Sequence, residues 1–220
     1  MRSIELVIFD CDGVLVDSEM ITNRVFCEML NELGVEVTLE DMFERFVGHS
    51  MATCIEIITE LRGCPPPDGF VKRLRHKAGA ALQAEVEAVP GVSDVVDSLN
   101  IPYCVASSGE PAKIRLTLGK TGLLGRFEQK IFSVVDVARP KPEPDIFLHA
   151  ASEMGVAPSA CAVIEDTPTG VSAGVAAGMY VYGFAAHTPS RRLLDAGAHE
   201  VFSKMSALPA SLAQHCKSST

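Results

Sequence analysis

Leu6-Val7-Ile8-Phe9-Asp10-Cys11-Asp12-Gly13-Val14-Leu15-Val16-Asp17-Ser18 is the stretch on which the fold turns. A short aliphatic run that stops at acids and a glycine reads as a buried parallel strand whose carboxyl end opens into a site. Asp10 and Asp12 stand there two residues apart, and Gly13 lets the backbone turn sharply beside them. Open α/β sheets bind ligands outside the carboxyl ends of their strands. Asp and Gly also make ordinary turns, so the weight of the argument passes to the rest of the chain.

Ser18 is placed to cap a helix reaching about Leu33, and Gly34 ends it. Helical stretches follow at about 39–46, 51–61 and 69–86, with Cys64-Pro65-Pro66-Pro67-Asp68-Gly69 as a break between the last two. No strand is expected between residues 18 and 87. Pro90-Gly91 then opens a helix over 92–99. Beyond it strands at 101–107, 131–135, 161–165, 180–184 and 200–203 alternate with helices at 110–121, 144–154, 169–177, 189–196 and 208–215. Such alternation predicts an α/β chain with a parallel sheet covered on both faces, interrupted after its first strand by an all-helical insertion.

Composition narrows the function classes. The chain of 220 residues is 47% hydrophobic and 21% charged, the balance of a globular protein. A net charge of −9 repels a nucleic-acid backbone and favours a metal cation. No apolar run approaches the roughly 20 residues of a membrane span, and the amino terminus carries no signal-peptide core. A cytoplasmic protein with no nucleic-acid or membrane partner is expected. The 7 cysteines include no CxxC pair, which points to reduced thiols, and the 6 histidines lack zinc-ligand spacing.

Polar residues gather at the ends of the later strands. Tyr103-Cys104-Val105-Ala106 runs into Ser107-Ser108-Gly109, offering hydroxyls and backbone N–H groups at a helix start, where anions are favoured. Arg139-Pro140-Lys141-Pro142-Glu143-Pro144 sets a lysine between prolines that fix the backbone. Ala162-Val163-Ile164 leads into Glu165-Asp166, adjacent carboxylates that repel unless a cation sits between them or they point apart. With Asp10 and Asp12 these make four acids that can converge, the oxygen-rich setting Mg²⁺ prefers.

DxDGVLVDS, a strand ending VASS, KPEPD and VIEDTPTG, in that order and around a helical insertion, resemble the four motifs of the haloacid dehalogenase superfamily. The likeness is nearest to its small sugar-phosphate phosphatases and β-phosphoglucomutases. It implies a Rossmann-like doubly wound catalytic core formed by residues 1–17 and 88–220, with a helical cap at 18–87. The catalytic residues it implies are Asp10 as the nucleophile that becomes an aspartyl-phosphate and Asp12 as general acid and base. Phosphate would be held by Ser107, Ser108 and Lys141. Mg²⁺ would be held by Asp10, the backbone carbonyl of Asp12, Asp166 and, directly or through water, Glu165.

The resemblance further implies a small phosphorylated metabolite as substrate and a monomer or weak dimer. The second aspartate, Asp12, favours phosphoryl transfer over dehalogenation. Mutases of the family carry a cap histidine where this chain has Thr22. In the following cap loop their basic residue is matched by Val47-Gly48-His49-Ser50-Met51, with neither lysine nor arginine. Hydrolysis of sugar or sugar-acid phosphates is therefore expected. A β-phosphoglucomutase-like transferase and a non-catalytic binding protein are the alternatives. His49 is a candidate substrate contact. The basic run Lys72-Arg73-Leu74-Arg75-His76-Lys77 is a solvated helix face, or an attraction for an anionic sugar acid such as phosphogluconate.

Overall fold

The computed structural model describes residues 3–47 and 49–213. The chain divides into two compact units, one made of residues 1–17 and 87–220 and the other of residues 18–86.

The first unit is built on six strands: β1 (Leu6–Phe9), β4 (Tyr103–Ser107), β5 (Ile131–Ser133), β6 (Cys161–Glu165), β7 (Tyr180–Phe184) and β8 (Glu200–Phe202). They pair in the order β5-β4-β1-β6-β7-β8, every neighbour parallel. From β1 the chain steps outward to β4 and β5, then returns to lay β6 on the other side of β1. The winding therefore reverses between β1 and β6, the place where such sheets bind ligands. All four residues of β1 are buried, because both faces of the sheet are covered. Leu6 and Ile8 join one core with Cys104, Ala106, Phe147, Val163 and Val181. Phe9 turns the other way and meets the Phe127 ring edge-on, 6.3 Å between centroids.

The helices of this unit are α5 (Val92–Ser98), α6 (Pro111–Lys120), α7 (Leu124–Phe127), α8 (Asp145–Glu153), α9 (Pro168–Ala176), α10 (Ser190–Asp195) and α11 (Leu208–Ala213). The sequence predicts that the last reaches His215; residues 214 and 215, like Cys216, lie outside the described residues. The 131–135 strand stops at Ser133, whose hydroxyl accepts from Val135 N and opens a 3₁₀ turn over Val134–Asp136. Two further strands of two residues each, β2 (Val16–Asp17) and β3 (Glu87–Ala88), pair antiparallel. Glu87 thus begins a strand rather than ending the insertion.

The second unit holds α1 (Glu19–Glu32), α2 (Leu39–Arg45), α3 (Met51–Arg62) and α4 (Phe70–Glu85). It has a core of its own, in which Phe26 packs against Phe46 and Phe70 at 5.4 and 6.2 Å between ring centroids. Thr38 and Asp41 form a capping box that starts α2. Ser18 occupies the N-cap of α1, but its side chain makes no capping hydrogen bond. The basic residues of α4 lie on an exposed face, where Lys77 pairs with Glu32 at 2.9 Å.

The six described cysteines are all free. Burial pushes the Cys11, Cys104 and Cys161 thiols above the ordinary thiol range, which keeps them protonated. Among the described residues no helix is long and apolar enough to cross a membrane.

Candidate active site

The register Phe9↔Ile164 and a hydrogen bond from Asp10 N to Ile164 O, 2.9 Å, set the end of β1 beside the end of β6. Into this corner reaches Lys141. Its Nζ donates to Asp10 Oδ1 at 2.6 Å, to Glu165 Oε1 at 2.7 Å and to Ala106 O at 3.2 Å. An ammonium has three protons to give, and here they tie together the carboxyl edges of β1, β6 and β4. The lysine side chain is 5% exposed and lies over the Phe147 ring, 4.7 Å from its centroid. Prolines at 140, 142 and 144 stiffen the loop that delivers it, and Arg139 clips the loop to the start of α8. The guanidinium donates to Asp145 at 2.7 and 3.1 Å and pairs with Glu143 at 3.1 Å.

Burial pushes the Asp10 carboxyl up, to about 7, with Lys141 pulling it back and Glu165 and Asp12 adding to the rise. Burial also disfavours the Lys141 ammonium, but Asp10 and Glu165 outweigh it and hold the group above the usual lysine range.

The other expected residues stand around this centre. Ser107, buried at the end of β4, accepts a hydrogen bond from Gly109 N at 3.1 Å. Its own hydroxyl proton can therefore be aimed elsewhere. Ser108 is exposed immediately after it. Asp166 is buried, and a Cβ on residue 13 would overlap its carboxylate. Gly13, with φ of +77°, is thus required both by the turn and by the approach of Asp166. Asp12 Oδ2 accepts a hydrogen bond from Lys113 Nζ at 2.8 Å. Burial works against the Lys113 ammonium, yet Asp12 outweighs it and keeps the group above the ordinary lysine range. His49 belongs to the helical unit, where it is exposed ahead of α3, and its neighbour Gly48 lies outside the described residues.

Among the described residues, no group of three or more His, Cys, Asp or Glu side chains is arranged to hold a metal ion. Asp12 turns its carboxylate to Lys113. Glu165 uses Oε1 on Lys141 and Oε2 on the Thr167 backbone N–H and hydroxyl, both 2.9 Å away. Successive residues at a strand end point to opposite sides, so neighbouring acids need not share a task. Asp10 and Asp166 are both buried at the ends of the neighbouring strands β1 and β6, and carboxylate oxygens are donors of the kind a hard cation takes. Hard oxygens in this small number fit Mg²⁺, which takes one or two carboxylates and keeps several waters.

Sequence reasoning misses three contributors. Thr167 caps α9 by accepting from Gly170 N at 3.1 Å while it donates to Glu165, and Thr-Pro after a strand carries a legible capping signal. Ser133 donates to Gly109 O at 2.7 Å, propping the turn that follows Ser107. Lys113 gives no signal, since an exposed-looking lysine early in a helix is ordinary.

Comparison with known proteins bears on the family of the chain. A haloacid dehalogenase-like hydrolase profile matches residues 4–178. The chain is 33% identical over 210 residues to the 6-phosphogluconate phosphatase of Escherichia coli K12, covering 95% of each. A haloacid dehalogenase-like protein of Agrobacterium tumefaciens superposes with a TM-score of 0.89 at 36% identity, over 96% of this chain and 99% of that one. A haloacid dehalogenase family hydrolase of Deinococcus radiodurans, solved with phosphate and sodium bound, gives 0.84 at 30% identity, over 98% and 97%. On motif order, sheet winding and these likenesses together, the chain belongs to the haloacid dehalogenase-like hydrolases.

Proposed function

We propose that the protein is a Mg²⁺-dependent phosphatase of small phosphomonoesters, sugar or sugar-acid phosphates, working through an aspartyl-phosphate on Asp10. The observation that carries this reading is the buried Lys141 ammonium joined to both Asp10 and Glu165 where the sheet's winding reverses. A phosphoryl group needs positive charge around its oxygens and a nucleophile in line. A lysine held by two acids and a backbone carbonyl supplies the first, turning one of its three protons to a phosphoryl oxygen.

In the first step the Asp10 carboxylate attacks phosphorus and the bond to the sugar oxygen breaks. Asp12 gives that oxygen a proton. In the second step water attacks the phosphorus, Asp12 takes its proton, and the bond to Asp10 breaks to release phosphate. Ser107 and Ser108 hydroxyls and Lys141 hold the phosphoryl oxygens. Glu165 keeps Lys141 in place. Asp10, Asp166 and the Asp12 carbonyl would hold Mg²⁺, which when bound neutralises the repulsion between carboxylate and phosphate.

Hydrolysis is favoured over mutase transfer because the Thr22 hydroxyl is engaged inside α1, bonded to the carbonyls of Ser18 and Glu19 at 3.1 Å each. A phosphorylated sugar acid is the first substrate to try, given the likeness to a 6-phosphogluconate phosphatase. The test is magnesium-dependent phosphate release from p-nitrophenyl phosphate by the intact protein and by Asp10→Asn, followed by a screen of phosphorylated sugars, sugar acids and polyols. Release that survives in Asp10→Asn, or that ignores Mg²⁺, would overturn the proposal.

A further inference from the structure

We propose that Lys113 is a positioning residue for Asp12, holding its carboxylate where it meets the leaving-group oxygen. This deepens, and rests on, the acid–base role given to Asp12 above. Lys113 is the third residue of α6, which starts at Pro111. A cation in the first turn faces the positive end of the helix dipole, a place that favours anions, and the acid nearest in sequence is Glu110 at the N-cap of α6. A partner also comes from across the fold: Lys113 Nζ donates to Asp12 Oδ2 at 2.8 Å, 101 residues away in sequence. Both side chains are about a third exposed, 36% and 31%, so the pair is open to solvent.

Geometry narrows the role. A Cβ on Gly109 would come within 3.8 Å of Asp12 Oδ2, so the carboxylate lies between the turn after Ser107 and the lysine. Ser133 props that same turn through Gly109 O. Asp12 is thus bordered by the backbone on one side and an ammonium on another, two residues from the like charge of Asp10. Without Lys113, repulsion from Asp10 would move the carboxylate. A displacement of about 1 Å can slow such a step by about a hundredfold.

The readout is dependence on the leaving group, which a merely structural role does not move. An alkoxide must be protonated as it departs; a nitrophenolate needs no proton. The intact protein, Lys113→Met, Lys113→Arg and Asp12→Asn are compared by kcat/KM, which covers steps up to the first bond cleavage, on glycerol 2-phosphate and p-nitrophenyl phosphate. Lys113→Met is expected to lose at least tenfold more on the alkyl ester than on the aryl ester, and Lys113→Arg to recover most of that difference.

Equal losses on both esters, or a loss on neither, would overturn the positioning role; equal losses would instead make Lys113 a phosphoryl contact. If Asp12→Asn itself loses equally on both, the acid role of Asp12 fails. If Asp12→Asn shows the split and Lys113→Met does not, only the present inference fails. Should Lys113→Met be unfolded by circular dichroism, Lys113→Gln serves the same comparison.

Discussion

The carboxylate of Glu165 lies against the backbone of Gly170 so closely that a single methyl group there would overlap it. Gly170 sits in the first turns of α9, where alanine would ordinarily stabilise a helix. Here the added carbon must displace the acid that holds Lys141. Gly170→Ala is expected to lose about 1–3 kcal/mol of stability, as overpacked cores do, and more than tenfold in turnover. Gly79, in the middle of α4 with open space around it, is the control: alanine there should add about 0.5–1 kcal/mol. Urea unfolding of both variants measures the opposite signs, and matching signs would refute the account.

Lys141 is the cation between two buried acids, so its removal should damage folding as well as catalysis. Lys141→Met leaves Asp10 and Glu165 facing each other uncompensated, which costs about 3–5 kcal/mol when one partner of a buried pair is removed. Loss of a preorganised donor at the phosphoryl group should slow turnover by about 10²–10³-fold. Arginine is not a conservative replacement, because its planar fork does not match three acceptors set around a point. A stability loss under about 1 kcal/mol in denaturant titration would show that the pair carries little of the fold.

Asp10 gives a pH prediction. Its carboxyl in the folded chain, at about 7, lies above the ordinary 3.8. Between those values the folded chain keeps a proton that the unfolded chain has lost, so stability falls as pH rises across the interval. Asp10→Asn has no such proton to lose. Its melting temperature, followed in chelator, should therefore pull ahead of the parent's as pH goes from 5 to 8 while its turnover is abolished. A difference that stays flat with pH would count against the raised carboxyl.

Chelation should abolish turnover and Mg²⁺ should restore it. The division of labour between the adjacent acids then becomes measurable. Asp166→Asn is expected to raise the Mg²⁺ concentration for half activity by tenfold or more. Glu165→Gln, acting through Lys141, should lower kcat with little change in that concentration. A large shift in Mg²⁺ requirement for Glu165→Gln would return Glu165 to the metal.

Much of this fold and site is legible in the amino-acid sequence. Buried runs such as Leu6–Phe9 and Cys161–Glu165 announce strands of a covered sheet, and the acids, serines and lysine at their ends announce a site. Direction is not legible. Glu165 and Asp166 are indistinguishable as letters, yet one faces Lys141 and Thr167 while the other lies on the turn at Gly13. Partnerships across long separations are equally hidden: nothing local ties Lys113 to Asp12 or Ser133 to Gly109. The pairing of Val16–Asp17 with Glu87–Ala88 escapes notice because two residues are too few to show an alternation.

That small ribbon has a consequence for how the molecule can change. Val16 pairs with Ala88 and Asp17 with Glu87, so the polypeptide leaves the first unit and comes back through adjoining positions. Whatever lies between them is plugged in at a single socket, and the entropy of closing such a loop grows only slowly with its length. A tight hairpin or an entire folded body can occupy that socket without shifting the register of the six strands. Exchange of this module leaves the reacting residues where they are.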